Sequence, residues 1–419
     1  MFIATFSQIF HTLRANKLRS FLTMFGIAWG VLSIILMTAS GEGFRVAQQR
    51  NMAKLGKDIM IIWGGRTSLQ AEGFQSGRNI RLKASDADEI RAKASLIRYI
   101  SPEIIRSDLV AKTDINYGNF STRGVLPEYQ YMRMITADRG RVLNPADNRS
   151  ARMVCVIGSE VNEQLFEGAN SIGQTMSIDS HPFTVIGILP EKELNSTYSG
   201  QDHSAIFIPY ETMKRLFSHP GLGESKEFVN NLIAAPIRHE VYIEAERQVR
   251  QVMAAKHQFN AQDEDAISIW NTGKQNEMMD IMMGSMQWFL GTVGFVTLLL
   301  GAVGVVNIML VSVRERTVEI GLRKSVGARR RDILWQFFVE AFMITMTAGG
   351  IGLGIGWAVC QAINSMPLPE IVFAGMLISP MIALTAFFAL VVIGLFAGIY
   401  PAYIAADLDP IESLRFEAN

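Results

Sequence analysis

The sequence predicts an integral membrane protein with four α-helical transmembrane spans and a large α+β extracytoplasmic domain inserted between spans 1 and 2. Composition is the first observation behind this class: 49% of the 419 residues are hydrophobic, 19% are charged, and the mean hydropathy is positive. The second is a set of four apolar runs, each with the roughly 20 residues that a helix needs to cross the hydrocarbon core of a bilayer.

The chain begins with residues that are apolar at helical spacing, from Phe2 to Leu13, with polar residues between them. This pattern predicts an amphipathic helix on the cytoplasmic membrane surface over residues 1–20. Span 1 follows at residues 21–40, which contain no charged side chain. Because this run is too long for a signal-peptide core and lacks a small-residue cleavage site, we expect it to remain as an anchor.

Residues 41–285 form the predicted extracytoplasmic domain. Short apolar or β-branched runs bounded by turn residues predict strands; they are Ile59–Trp63, Met153–Ile157, Phe183–Leu189 and Ala205–Ile208. Asp86–Ser95 reads as a helix capped by Ser85 with Asp88. The Ser-, Gly- and Asn-rich residues 190–204 predict an exposed loop.

The remaining spans follow in order. Span 2 covers residues 286–313, span 3 residues 333–363 and span 4 residues 378–404, with a short extracytoplasmic loop at 364–377 and a cytoplasmic tail at 405–419. Glu340 is the only charge inside span 3, so we expect it to face protein or the inner headgroups. Small residues allow close helix approach in a bilayer. The candidate packing residues are Gly301, Gly304, Asn307, Gly350, Gly354 and Gly398.

Basic residues set the predicted orientation. Arg14, Lys17 and Arg19 precede span 1, and seven Arg or Lys residues lie between Arg314 and Arg331. The loop at residues 364–377 contains none. By the positive-inside rule, both termini and the basic loop are cytoplasmic.

No catalytic or cofactor site is legible in the sequence. The segment Gly168–Thr175 has the spacing of a phosphate-binding loop, but Gln174 occupies the position of the required lysine, so a glycine turn between two strands is expected. The Leu-Ser-Gly-Gly-Gln signature of transporter ATPases is absent, and the histidines lack metal-ligand spacing. Cys155 and Cys360 fall in different segments, which predicts no disulfide. Lys plus Arg and Asp plus Glu number 39 each, so net charge says nothing about nucleic-acid or acidic partners, and we expect no nucleic acid among the partners.

The basic loop, residues 314–332, is the most informative segment. Apolar Val318, Leu322 and Val326 recur every fourth residue among charges, and Gly327 can end the helix that this spacing predicts. Such a helix offers an apolar knob flanked by Glu319, Arg323 and Lys324 to a cytoplasmic partner. A solvated loop that binds lipid headgroups is the alternative.

The chain resembles the MacB-type permeases of ABC transporters, also called FtsX-like or type VII. Val156-Ile-Gly158, Phe183-Thr-Val-Ile-Gly187 and Gly398-Ile-Tyr-Pro401-Ala402 are similar to family landmarks. The most specific stretch runs from Gly301-Ala-Val-Gly304-Val-Val-Asn307 into Arg316-Thr-Val318-Glu319-Ile320-Gly321-Leu322-Arg323-Lys324-Ser-Val326-Gly327-Ala328. Ser325, where alanine is usual, and Trp29 in span 1 depart from the pattern.

The resemblance implies a permease of the bacterial inner membrane that dimerises with a second copy or a paralogue and binds a cytoplasmic ABC ATPase. Because the chain begins at the amphipathic helix, that ATPase is expected to be a separate subunit, which binds the ATP and magnesium. The residues implied in ATPase coupling are Arg316, Val318, Glu319, Ile320, Gly321, Leu322, Arg323, Lys324, Val326, Gly327 and Ala328.

The family mechanism, mechanotransmission, passes ATPase motion to outer domains that move a substrate already outside the inner membrane. The outer domain then has a porter-like part, built from both ends of the insertion, and a central Sabre-like part near residues 118–220. A periplasmic adaptor and an outer-membrane duct complete such exporters, and membrane lipid surrounds the spans. Two alternatives stay open: a regulator that couples an ATPase to an envelope hydrolase, and a ligand sensor.

Overall fold

The computed structural model describes residues 17–56, 58–71, 73, 75–191, 198–217, 227–367, 373–378 and 380–415. The chain divides into two compact units. The membrane unit comprises Met1–Ala47 with Asp280–Asn419, and the outer domain comprises Gln48–Met279. Residues 1–16 of the predicted amphipathic helix lie outside the described residues.

Twelve α-helices are found among the described residues; they are α1 Lys17–Leu55, α2 Ala84–Lys93, α3 Pro127–Met132, α4 Pro145–Arg149, α5 Ser159–Phe166, α6 Tyr210–Leu216, α7 Tyr242–His257, α8 Thr272–Glu315, α9 Thr317–Ser325, α10 Arg330–Asn364, α11 Pro380–Asp407 and α12 Pro410–Arg415. The strands are β1 Met60–Gly64, β2 Ile97–Arg106, β3 Val110–Lys112, β4 Tyr117–Asn119, β5 Ser121–Val125, β6 Arg139–Gly140, β7 Val154–Ile157, β8 Thr175–Ile178, β9 His181–Ile188, β10 Ala205–Pro209, β11 Asn231–Pro236 and β12 Ile267–Asn271.

Four helices of the described chain, α1, α8, α10 and α11, are long and apolar enough to span a membrane, which confirms the four predicted spans. Helices α1 and α8 are longer than spans 21–40 and 286–313, so both ends of the segment 41–285 are helical. Hydropathy marks only the apolar part of a helix, and α1 continues past Gly41 and Gly43 through polar residues as far as Leu55. At Gly56 the φ angle of +133° ends α1.

Close approach of helices in the membrane unit depends on a few glycines. A Cβ on Gly301 would lie 3.0 Å from the backbone nitrogen of Ile27, and one on Gly352 would lie 2.5 Å from the carbonyl oxygen of Ala28. Gly398 packs on Phe338 and Ala341 of α10. A Cβ on either of two other predicted packing glycines, Gly350 and Gly354, would meet no described atom within 4 Å, so neither makes a close contact inside this chain.

The glycines of α10 differ because they lie on different faces of the helix. Glycines at α10 positions 349, 352 and 356 share one helix face, which packs against α1 and α11, whereas positions 350 and 354 face away from it. Spacing alone shows that two glycines share a face, but not which face of the helix is the buried one.

The outer domain is built on one 12-stranded sheet with the order β12-β1-β11-β2-β5-β10-β7-β9-β8-β3-β4, and β6 pairs with β9. Strands from the two ends of the inserted segment, β12, β1, β11 and β2, are neighbours. The central strands continue the same sheet from β5. Strand β3, at Val110–Lys112, pairs with β8, so it lies upstream of residue 118 and beside the central strands of the sheet. The four predicted strands are confirmed as β1, β7, β9 and β10.

Two local predictions need correction. Helix α2 is capped at Lys83, whose N–H donates to the Asp86 carboxylate at 2.8 Å, and not at Ser85 with Asp88. The bridge between Lys83 and Phe228 holds Lys83 in an extended conformation, so the helix begins earlier than its side-chain pattern indicates. The segment that begins at Gly168 joins α5 to β8, a helix to a strand rather than two strands.

A buried charged network joins the segment 198–204 to the sheet. The carboxylate of Asp202 accepts hydrogen bonds from Arg123 Nη1 at 3.2 Å and from Arg133 Nη2 at 3.0 Å, and all three residues are buried. Nearby, the carboxylate of Glu103 accepts from the Tyr198 hydroxyl at 2.7 Å and from Asn231 Nδ2 at 2.6 Å. The network therefore links β2, β5 and β11 through polar groups that have left water.

Three buried carboxylates predict how the outer domain responds to acid. Burial alone would raise the pKa of Asp86, but the close contacts with His257 at 3.0 Å and Lys256 at 2.9 Å and the hydrogen bond from the Lys83 N–H outweigh it and hold the pKa below its usual value. Donors from Arg141 and Asn144 lower the pKa of Asp147 against burial in the same way, and donors from Leu69 and Ser68 lower that of Asp263.

Because these folded-state pKa values are depressed, the folded domain binds fewer protons than the unfolded chain and its stability rises with pH. We expect full stability above about pH 4, where unfolded carboxylates ionise, and a loss of stability as the pH falls through the folded-state values. Thermal unfolding of the full chain between pH 3 and 7 measures this. A Tm that stays level across that range would contradict the assignment, and Asp86→Asn should reduce the dependence.

Candidate coupling site

Helix α9 is a short, well-terminated helix. A single residue, Arg316, separates it from α8, and the Arg316 carbonyl accepts the N–H of Ile320 at 3.0 Å. At its other end Gly327, with φ of +105°, donates its N–H to the Lys324 carbonyl, and the Ala328 N–H donates to the Arg323 carbonyl. This paired arrangement is a Schellman motif, which explains why the helix ends before Gly327.

The two faces of α9 have different environments. Ile320 is fully buried and packs in the apolar core of the membrane unit with Ile333, Phe337 and Ala402; Gly321 is buried beside it. Val318, Leu322 and Val326 form an exposed apolar ridge, with 45%, 57% and 83% of their surface accessible. One face therefore anchors the helix, and the ridge remains available to another molecule.

The charges that flank the ridge are differently engaged. Arg323 pairs with Glu319 at 2.5 Å and donates to Gln336 Oε1 at 3.2 Å. Lys324 does not flank the ridge as a free charge, because its Nζ donates to the carbonyls of Ala406 at 2.8 Å and Leu408 at 2.6 Å. The last carbonyls of a helix lack intrahelical donors and carry partial negative charge, so they attract a cation.

Arg316 forms an ion pair with Glu340 of α10. Its Nη1 lies 3.3 and 3.4 Å from the two carboxylate oxygens, and Glu340 is only 4% exposed. Glu340 thus faces protein, one of the two environments expected for it. Its partner Arg316 comes from the break between α8 and α9, outside the predicted spans.

The C-terminal helix α12 packs against α9, a contact that sequence reasoning missed. Arg330 pairs with Asp407 at 3.0 Å and lies over the Tyr403 ring, which fixes the end of α11 beside the basic loop. A cavity of about 410 Å³ lies where the end of α8 and the start of α9 meet the start of α12. Its lining residues are Arg314, Thr317, Leu408, Asp409, Glu412 and Ser413. We refer to α9 and α12 together as the coupling platform.

An apolar groove of about 540 Å³ runs between α1 and α8. Gly26, Gly301 and Gly304 line the groove. Phe25 and Trp29, which belong to an exposed aromatic stack that begins at Phe21, line it as well. Asn307, predicted as a packing residue, lines the groove with its side chain exposed. The groove therefore carries a polar amide within an otherwise apolar membrane surface.

Among the described residues, no three His, Cys, Asp or Glu side chains are grouped as metal ligands. Cys155 and Cys360 are both buried and free, as expected from their positions in different segments. In the outer domain, burial raises the pKa of the Cys155 thiol far above its usual range, so this thiol is unreactive.

Comparison with known proteins identifies the family. The model of the MacB-like periplasmic core domain matches residues 20–256, and that of the FtsX-like permease C-terminal region matches residues 291–410. The chain is 32% identical to the macrolide export ATP-binding/permease protein MacB of Bdellovibrio bacteriovorus, over 98% of this chain and 61% of that protein. It is 29% identical to the MacB of Neisseria gonorrhoeae, over 99% of this chain and 61% of that protein.

Solved structures include two distant matches. The periplasmic region of MacB from Actinobacillus actinomycetemcomitans is 18% identical, with a TM-score of 0.42 over 55% of this chain and 96% of that one. The extracellular domain of the ABC-type transporter YknZ from Gram-positive bacteria is 13% identical, with a TM-score of 0.41 over 51% of this chain and 100% of that one. The chain spans about three-fifths of the length of the curated relatives it matches. On the sequence matches, it belongs to the family of MacB-like, FtsX-like ABC transporter permeases.

Proposed function

We propose that this chain transmits the motion of an ABC ATPase across the bacterial inner membrane to its outer domain, for the efflux or export of a drug, peptide or lipid-like substrate. The exposed ridge on α9 is the observation that carries the proposal. It presents apolar side chains on a helix whose opposite face is packed into the membrane unit. The matched relatives are named as macrolide export proteins with an ATP-binding part, which supports export as the direction.

The ATPase binds the ridge and hydrolyses ATP with its own magnesium, so this chain acts as a permease subunit without an enzymatic site. Small apolar anchors near the centre of an interface often dominate its binding energy. Leu322 lies in the middle of the ridge, with Val318 and Val326 one turn away on either side. Arg323 and Glu319, paired beside it, suit a polar rim that fixes orientation.

A second permease copy, or a paralogue, occupies the groove between α1 and α8. The glycines that line the groove permit close backbone approach, which favours helix association within a bilayer. The exposed Asn307 amide supports this occupant, because a two-fold partner offers the matching amide as a hydrogen-bond partner in a region without water. Outside the membrane, a periplasmic adaptor and an outer-membrane duct receive the substrate, and lipid covers the remaining apolar surface.

The proposal requires both termini and the coupling platform to be cytoplasmic. In intact cells, a membrane-impermeant maleimide should label Tyr117→Cys in the outer domain but reach Val326→Cys only after permeabilisation. Both positions are highly exposed, at 78% and 83%, and the two native cysteines are buried, so unlabelled wild type serves as the control. Labelling in the reverse pattern would overturn the orientation.

The partner itself is tested by co-purification. An affinity-tagged ABC ATPase that is encoded beside the gene for this chain should co-purify with the full chain. We expect this both in detergent and after reconstitution of the chain into lipid. If wild-type chain retains no ATPase under either condition, the proposed function fails.

A further inference from the structure

The ion pair between Arg316 and Glu340 lies where the chain changes direction. Glu315 ends α8, Thr317 begins α9, and Arg316 is the single residue between them. Its carbonyl starts α9 by accepting the Ile320 N–H, while its guanidinium reaches both carboxylate oxygens of Glu340 on α10. One residue therefore joins the start of α9 to α10 through a side chain that is largely buried.

Helix α9 is also held along its length by α10 and α11. Arg323 donates to Gln336 of α10, and Lys324 donates to the final carbonyls of α11. Ile320 is buried against residues of both helices. The break at Arg316 separates α8 from α9, so α9 does not continue the helix of α8. The orientation of α9 is thus set by its contacts to α10 and α11, with the Arg316–Glu340 pair at the end nearest the break.

A buried pair of this kind contributes little to stability, because removing two charges from water costs about as much as their attraction returns. Its best-attested use is to fix the register of packed elements, since each charge is costly without the other. Glu340 of α10 is such a charge. Among the described residues, it forms an ion pair with Arg316 and with no other side chain.

We infer that Glu340 is a positioning residue that, through Arg316, fixes the start of α9 on α10 so that a displacement of α9 is passed to α10. This inference rests on the proposed function, in which α9 is the helix that the ATPase moves. Because Glu340 is buried within this chain, we place its effect on transmission rather than on docking.

The first test needs no ATPase. Spin labels at Val326→Cys and Ile351→Cys, both at exposed positions, report the distance between α9 and α10 in full-length chain in lipid nanodiscs, diluted with unlabelled chain. Glu340→Gln and Arg316→Gln should each broaden or shift the distance distribution. The exchange of the two charges, Arg316→Glu with Glu340→Arg, should restore it. Glu315→Gln is the control. It makes the same change on an exposed carboxylate next to Arg316 in the sequence, and it should leave the distance distribution unchanged.

The second test asks whether transmission is lost. With the tagged ABC ATPase, Glu340→Gln should retain the ATPase but lose the ATP-dependent shift between labels at Tyr117→Cys in two copies, and the charge exchange should recover it. An unchanged α9–α10 distance in Glu340→Gln overturns the inference, as does a normal ATP-dependent shift. Loss of the ATPase from Glu340→Gln also overturns it, because the residue would then support docking. If the wild-type chain does not bind the ATPase, the proposed function is wrong. The distance between α9 and α10 still tests the positioning role of Glu340 in that case.

Discussion

Replacing the buried Asp202 with alanine should strongly destabilise the outer domain. The substitution leaves Arg123 and Arg133, both fully buried, without the carboxylate that they share. Breaking a buried ion pair by removing one partner costs about 3–5 kcal/mol. For a domain of this size, that corresponds to a Tm lower by roughly 6–20 °C.

The measurement is thermal unfolding of the full chain, followed by protease sensitivity of the outer domain. Asp138→Ala is the matched control: its carboxylate pairs with Arg139 at 3.7 Å, but both side chains are more than half exposed, so little stability should be lost. If the Asp202→Ala and Asp138→Ala variants have the same Tm, the buried network does not hold the segment 198–204 in place.

Leu322→Asp should release the ATPase and abolish transmission. The side chain lies at the centre of the exposed ridge and makes no contribution to the buried face of α9, so membrane insertion and thermal stability should be unchanged. Truncating a central anchor costs about 2 kcal/mol or more, or roughly 30-fold in affinity, and a carboxylate in an apolar contact adds to that loss.

Leu322→Met is the matched control, because it keeps volume and apolar character at the same position. It should retain the ATPase at close to wild-type level in co-purification. Retention of the ATPase by Leu322→Asp at the same level would show that the ridge is a solvated or lipid-facing surface, and the coupling assignment would be wrong.

Sequence patterns predicted the membrane class, the four spans and the ridge, because each depends on local spacing of apolar residues. Hydropathy could not give the true ends of α1 and α8, since both helices continue through polar residues. The cap of α2 was missed for a related reason: an interaction between Lys83 and Phe228, distant in sequence, sets where the helix begins.

In the coupling platform, too, sequence patterns predict local features of a helix but not contacts between distant residues. The period of Val318, Leu322 and Val326 along one helix shows that they share a face, and the packing of α9 leaves that face exposed. The contacts of Lys324 with the end of α11, and of Arg316 with Glu340, join residues 82 and 24 positions apart, respectively. Only the packing of α9 on α10 and α11 brings these groups together, so the spacing of charges in one segment does not reveal which of them are engaged.

The most direct test of the central claim is the distance between spin labels at Tyr117→Cys in two copies of the reconstituted complex. It is compared without nucleotide and with ATP bound to a hydrolysis-deficient ATPase. We predict a clear shift in the distance distribution with Leu322 and with Leu322→Met, and none with Leu322→Asp. The same distribution with and without ATP in the wild-type complex would contradict the transmission of ATPase motion to the outer domain.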